Sequence, residues 1–140
     1  YIEELAREIH HSYASLQKKA IELKLDLPEV YLNVNYAIPC GLIINEVITN
    51  CYKHAFEEKE KGVISISIKK KEEKLFISIS DNGKGIDSEI QDKVFLPFFT
   101  TRKDGAGIGL TLSKNIIEAH GGYLSYQTDE DKTSFMICLI

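Results

Sequence analysis

Apolar residues along the chain change their spacing several times, and each change marks an element. Ile2, Leu5, Ile9, Tyr13 and Leu16 recur at intervals of three and four, which predicts an amphipathic helix from residue 1 to about 16. Ile21, Leu23, Leu25 and Leu27 then alternate with polar residues, the period of a half-buried strand, and Pro28 ends it. A short extended piece is expected around Tyr31 to Val34. Pro39 then opens a strong helix from about Cys40 to Glu58, with a charged tail through Lys61 and a stop at Gly62. Val63 to Lys69 and Leu75 to Ser80 alternate again across the charged stretch Lys70 to Lys74, as in an antiparallel hairpin. Residues 81 to about 107 hold four of the nine glycines and a proline, an irregular stretch of the kind in which compact domains place function. Ile108 to Ala119 returns to helical spacing and stops at Gly121 and Gly122, and Tyr123 to Thr128 and Ser134 to Ile140 read as a last strand pair. This order predicts an α/β (α+β) two-layer sandwich, with helices on one face of a mixed, mostly antiparallel sheet.

Composition narrows the classes. With 140 residues, 44% of them hydrophobic, the chain has enough apolar content for one substantial core. Seventeen basic against 21 acidic residues give a net charge of -4, which offers no general attraction for nucleic acid or an anionic membrane, so any phosphate binding must be local. Cys40, Cys51 and Cys138 are odd in number and widely spaced, which fits neither a disulfide framework nor a zinc site and is best suited to a reducing, cytoplasmic compartment. No apolar run approaches the ~20 residues that span a bilayer. The chain starts at Tyr1 directly in an amphipathic pattern, and the expectation is a piece of a longer protein that itself carries sensor or membrane segments.

Three clusters carry candidate chemistry. On the helix after Pro39, Glu46, Asn50, Lys53 and His54 stand at i, i+4, i+7 and i+8 and are expected on one face, with Ile44, Val47, Ile48, Cys51 and Ala55 on the other. A carboxylate and a carboxamide one turn apart offer hard oxygens suited to magnesium, and Lys53 a charge for phosphate, although such residues on a helix are as readily just solvated. Asp81, Asn82, Gly83, Lys84 and Gly85 follow a strand. They can be a simple turn, or a place where a flat ligand nears the backbone and a carboxylate accepts from an exocyclic amine. Gly105, Gly107 and Gly109 lead into the helix that starts near Leu110, where free N–H groups and the helix dipole favour phosphates. A dinucleotide-binding turn would need a preceding strand, and the Gly-Lys-Ser/Thr ending of a Walker loop is missing.

Taken together these residues resemble a family. Asn45-Glu46-x-x-x-Asn50-x-x-Lys53-His54-Ala55, Asp81-x-Gly83-x-Gly85, Phe95-x-Pro97-Phe98 and Gly105-x-Gly107-x-Gly109-Leu110 are similar, in order and spacing, to the N, G1, F and G2 boxes of sensor histidine kinases. The resemblance covers about residues 37 to 140 and implies the Bergerat ATP-binding fold, shared with DNA gyrase, heat-shock chaperone ATPases and anti-sigma-factor serine kinases. It implies ATP with Mg2+ as cofactors, Asn50 as the metal ligand and Glu46 as the base-like residue. By the same resemblance Asp81 meets the adenine amine, Gly83, Gly85 and Ile86 the adenine edge, and Lys53 and His54 phosphate or ribose. Thr100, Thr101, Gly105, Gly107, Ile108, Gly109 and Leu110 are expected along the phosphates and the lid, which would run from Asp87 to Ala106. Thr133 is expected near adenine, although the glycines that usually precede it are replaced by Asp131 and Lys132.

The implied reaction is transfer of the γ-phosphoryl group of ATP to a histidine on a separate dimerisation hairpin. The implied partners are that hairpin and a downstream response regulator, the parent being a homodimer and this chain a monomer that binds neither membrane nor nucleic acid. Residues 1–16 are expected to be the tail of a dimerisation helix and 17–140 the catalytic domain. Glu8-Ile9-His10-His11 resembles one subfamily's phosphoacceptor box, but Ser12, Tyr13, Ala14 and Ser15 do not continue it, so His10 and His11 are expected as surface residues. Two other functions remain open at this point, an anti-sigma-factor-type serine kinase and a non-catalytic nucleotide-sensing module.

Overall fold

A computed structural model describes residues 1–14, 20–56, 60–86, 89, 109–128 and 131–140. In chain order the elements are α1 (Ile2–Ala14), β1 (Ala20–Asp26), α2 (Val34–Asn50), a π-helical turn (Cys51–Ala55), β2 (Lys61–Lys71), β3 (Lys74–Asp81), α3 (Gly109–Ala119), β4 (Tyr123–Thr128) and β5 (Thr133–Leu139). The strands form one sheet in the order β1-β2-β3-β5-β4. β1 runs parallel to β2, and the β2–β3, β3–β5 and β4–β5 pairs are antiparallel, so the sheet is mixed and mostly antiparallel as its alternation predicts.

The period of two makes the two layers. On β2, Ile64, Ile66 and Ile68 are buried, while Ser65 and Ser67 between them are not. On β3, Ile77 and Ile79 are buried and alternate with Ser78 and Ser80, and β5 adds Phe135 and Ile137. These side chains meet Cys40, Ile43, Ile44, Val47, Ile48 and Cys51 from α2 and its π turn, together with Ile117 from α3 and Ala6 from α1, in one core. Burying each such isoleucine is worth ~1.5–3 kcal/mol, which is what fixes the helices to this face. The opposite face, carrying Ser65, Ser67, Ser78, Ser80 and Ser134, faces away from the helices.

The structure moves several predicted boundaries. The extended piece expected around Tyr31 to Val34 runs only to Asn33, and the helix begins at Val34 rather than near Cys40: Asn33 is its cap, its side chain accepting the Asn35 N–H at 2.9 Å. Pro39 therefore lies inside α2 rather than at its start. Lacking an N–H, it leaves the Asn35 carbonyl without the usual helical bond, a cost that burial of the flanking Tyr36, Cys40, Ile43 and Ile44 offsets. At the far end the chain widens into the π turn and then Phe56, and Gly62, read as a helix stop, is a buried residue of β2. Its bareness is needed for packing, since a Cβ there would lie 2.5 Å from Phe56 Cδ1 and 2.8 Å from Cζ. β2 and β3 close on a turn at Glu72 and Glu73, with Glu72 at φ 58°. The stop of α3 is as predicted. Gly121 takes φ 88°, its N–H reaches the Glu118 carbonyl at 3.0 Å, and the Gly122 N–H reaches Ile117 at 3.0 Å.

Candidate functional site

The end of β3 organises the site. Across the sheet, Ile64, Asp81, Thr133 and Thr128 form one register row, so the side chains of Asp81, Thr133 and Thr128 project from the helix-bearing face side by side. Asp81 is only 6% exposed, too buried for a charge without partners. Its Oδ1 accepts the Gly83 N–H at 2.8 Å, and its Oδ2 accepts the Cys51 thiol at 3.3 Å. Burial, and then the adjacent Asp81 charge, push the Cys51 thiol well up from its ordinary range, so it stays protonated and donates.

The glycine segment is clamped onto the π turn. The Lys84 N–H donates to the Ala55 carbonyl at 2.9 Å, and a Cβ on Gly83 would stand 2.6 Å from Ala55 Cβ and 2.8 Å from the Ala55 carbonyl carbon. Gly85 follows at φ 79°, a left-handed turn that a side chain resists. On the other side the Ile86 N–H donates to Thr128 Oγ1 at 2.9 Å, and Thr128 and Thr133 share a hydrogen bond at 2.8 Å. Asn82 closes the outer edge, its Oδ1 accepting the Val63 N–H at 2.8 Å. The segment that can be read as a plain Asp/Asn/Gly turn is thus tied to the π turn, β2 and β4 at once.

Glu46 and Asn50 lie half-buried one turn apart on α2. Asn50 Oδ1 is buried and meets no hydrogen-bond partner among the described residues, a cost for a polar atom unless something else fills the position. Lys53 is exposed and His54 half-buried, both on the π turn. That turn departs from the α-helical spacing on which the one-face expectation for Glu46, Asn50, Lys53 and His54 rests. π turns recur at functional sites. Gly109 and Leu110 open α3, as the helix N-terminus after the last glycine motif requires. Phe95, Pro97, Phe98, Thr100, Thr101, Gly105, Gly107 and Ile108 fall outside the described residues. So does the expected lid from Asp87 to Ala106, apart from Glu89.

Two participants escaped the sequence reading. Thr128 is visible only once β4 is in register with β5, and Cys51 reads as core until its thiol is seen on Asp81. The expectation of His10 as a surface residue also needs correction. His10 is half-buried, its Nδ1 hydrogen-bonded to the Tyr52 hydroxyl, and Tyr13 stacks on the same Tyr52 ring at 5.3 Å. His11 is exposed. A groove of about 450 Å³ beside β1 and β2, lined by Glu22, Lys61, Gly62 and Asn82 among others, takes in none of the Asp81, Thr133 or Asn50 side chains.

An α/β sandwich with a buried carboxylate at a strand end, glycines folded against a π turn and a helix opening after a glycine motif defines a class of nucleotide-binding domain. Residues 36–140 match the family described as histidine kinase-, DNA gyrase B-, and HSP90-like ATPase, and the chain belongs to it. Among curated relatives it is similar to the sensor histidine kinase ZraS of Salmonella typhimurium, 36% identical over 118 residues, covering 83% of this chain and 25% of that protein. The sensor protein TdiS of Thauera aromatica is 36% identical over 112 residues, covering 74% of this chain and 20% of TdiS. The chain thus spans about a fifth to a quarter of the length of these relatives. Among solved structures, the catalytic domain of histidine kinase ThkA superposes with a TM-score of 0.72 at 26% identity, over 98% of this chain and 90% of that one. The histidine kinase domain of the Erythrobacter litoralis EL346 blue-light activated kinase gives a TM-score of 0.77 at 21% identity, over 99% of this chain and 58% of that one, a likeness of fold. The fold is that of histidine kinase catalytic domains, and the ATPase family makes ATP the expected nucleotide. Among the described residues no helix is long and apolar enough to cross a membrane.

Proposed function

We propose that this chain is the ATP-binding catalytic domain of a sensor histidine kinase, which holds Mg-ATP and delivers its γ-phosphoryl group to a histidine on a separate dimerisation hairpin. The observation that carries the reading is the buried Asp81 carboxylate, held by Gly83 and Cys51 at the edge of the glycine segment and flanked by Thr133. A carboxylate placed so is an acceptor for the adenine amine, Thr133 lies beside it, and Gly83, Gly85 and Ile86 bring backbone to the edge of the base. Lys53 and His54, on the π turn, serve phosphate or ribose. The start of α3 at Gly109 and Leu110, with Gly105, Gly107, Ile108, Thr100 and Thr101 before it, serves the phosphate chain.

Magnesium fits the residues present. Asn50 Oδ1 is a hard oxygen, buried and without a hydrogen-bond partner among the described residues, and Glu46 lies one turn away on α2. Among the described residues no group of three or more His, Cys, Asp or Glu gathers to hold a metal by itself. The proposed ion is one held by one or two protein oxygens together with phosphates and water. When bound, the ion neutralises phosphate charge. Glu46 is the residue suited to accept a proton from the attacking group. In the reaction the bond from the γ-phosphorus to the bridging β,γ oxygen breaks and a phosphorus–nitrogen bond to the acceptor imidazole forms. The protein's share is alignment and charge.

We read α1 as the tail of the second dimerisation helix and 17–140 as the catalytic unit. The partners are then the hairpin of the parent homodimer and a response regulator. The test is labelled Mg-ATP added to this chain alone and with the parent's upstream hairpin supplied as a separate protein. Acid-labile, alkali-stable label is expected on the hairpin alone, at a rate lowered by the loss of the covalent link. Label on this chain that His10→Gln or His11→Gln abolishes would show the acceptor to be here. Acid-stable label on serine would favour the serine-kinase reading.

A further inference from the structure

Cys51 directly follows Asn50 and opens the π turn, 4% exposed, with its Sγ 3.3 Å from Asp81 Oδ2. The other carboxylate oxygen is taken by the Gly83 N–H at 2.8 Å. Neither donor can move independently. Gly83 is pressed against Ala55, whose carbonyl holds the next residue, and Cys51 is packed among the core residues of α2 and the sheet. A carboxylate held at one oxygen only can turn about its side-chain bonds, whereas one held at both keeps its plane and its remaining lone pairs in fixed directions.

We propose that Cys51 is a positioning residue for base specificity: its S–H, acting with the Gly83 N–H, fixes the Asp81 carboxylate so that the site accepts a purine bearing an exocyclic amine and rejects one bearing a carbonyl there. The inference rests on the reading of Asp81 as the base-binding residue. Held still, the carboxylate meets an amine with a lone pair and meets a carbonyl with lone pair against lone pair. Without the thiol's hold on Oδ2, it can swing more readily from the carbonyl, which relieves the repulsion, and it spends less time aligned with the amine. Loss of the thiol therefore weakens the amine-bearing nucleotide and spares the carbonyl-bearing one, and the ratio of the two affinities falls. A purely structural role for Cys51 would lower both affinities together and leave the ratio alone.

The experiment is calorimetric titration of the 140-residue chain with ADP and with inosine diphosphate, for wild type, Cys51→Ala, Cys51→Ser and Asp81→Asn. Cys51→Ala is expected to lower the ADP-to-IDP affinity ratio roughly three- to tenfold, and Cys51→Ser, whose hydroxyl donates in the thiol's place, to restore it to within about twofold. If Cys51→Ala does not fold, Cys51→Val, which fills the space without a donor, reads the same ratio. A ratio unchanged in the donorless variant, while Asp81→Asn collapses it, overturns the role of Cys51 and leaves the adenine reading standing. Wild type that does not bind ADP, or Asp81→Asn that keeps both affinity and ratio, overturns the adenine reading and this inference with it.

Discussion

Gly83→Ala is the substitution whose consequence follows most directly from the geometry. The added methyl would lie 2.6 Å from Ala55 Cβ and 2.8 Å from the Ala55 carbonyl carbon, where ordinary contact needs 3.4–4 Å. Backbone cannot step aside as the tip of a flexible side chain can, so the glycine segment must lift from the π turn by roughly 1 Å. Overpacking of this kind costs ~1–3 kcal/mol. The lift also breaks the Lys84 to Ala55 hydrogen bond, now 2.9 Å, for a further ~1 kcal/mol. The expected total is about 2–4 kcal/mol, and at roughly 3 °C per kcal/mol for a chain of this size the melting midpoint falls by about 6–12 °C. Because the same movement draws the Gly83 N–H off Asp81 Oδ1, ADP affinity falls as well, by about tenfold or more. Urea and thermal unfolding with ADP titration measure both effects. Ser67→Ala, on the face turned away from the helices, serves as the control and should stay within about 0.5 kcal/mol of wild type. A Gly83→Ala chain that melts with the control and binds ADP as wild type does would show that the contact with Ala55 does not hold the site.

Further outcomes can be set beside this one. Asn50→Ala should remove most of the magnesium dependence of ADP binding while leaving metal-free binding nearly unchanged, since Oδ1 has no bond to lose among the described residues; calorimetry with and without magnesium decides, and an unchanged dependence removes Asn50 as the ligand. His10 is held below its ordinary 6.5 by burial first and then by the charges of Arg7 and His11. The folded state therefore binds fewer protons at this site than the unfolded one, and its contribution to stability is full above pH 6.5 and lost as pH falls through the lowered folded value. Urea midpoints at about pH 7.5 and 5.5 should differ less for His10→Gln than for wild type, and an equal difference would refute the assignment.

Legibility from the sequence followed the range of the interaction. The alternation of Ile64, Ile66, Ile68 with Ser65 and Ser67, and of Ile77 and Ile79 with Ser78 and Ser80, placed both strands and their inner face, because a strand's side-chain period is set by its own backbone. Gly121 and Gly122 ended α3 for equally local reasons. Asp81, Gly83 and Gly85 were identifiable as a motif, since turn chemistry and close backbone approach are properties of the residues themselves. Pro39 and Gly62 misled because tertiary burial overrode local preference: the core residues around Pro39 carry a helix past it, and Gly62 serves the ring of Phe56 rather than a helix end. His10 misled likewise, since its neighbours in sequence say nothing of Tyr52, 42 positions away. The side-chain partner of Asp81 was equally out of reach. That Cys51 points its thiol at Oδ2, and that Thr128 stands in the row of Asp81 and Thr133, depends on how α2 and its π turn lie on the sheet and how three strands register, which no local pattern of residues records. The sequence alone determined the elements, the inner face and the set of candidate groups; packing and register decided which of those groups meet.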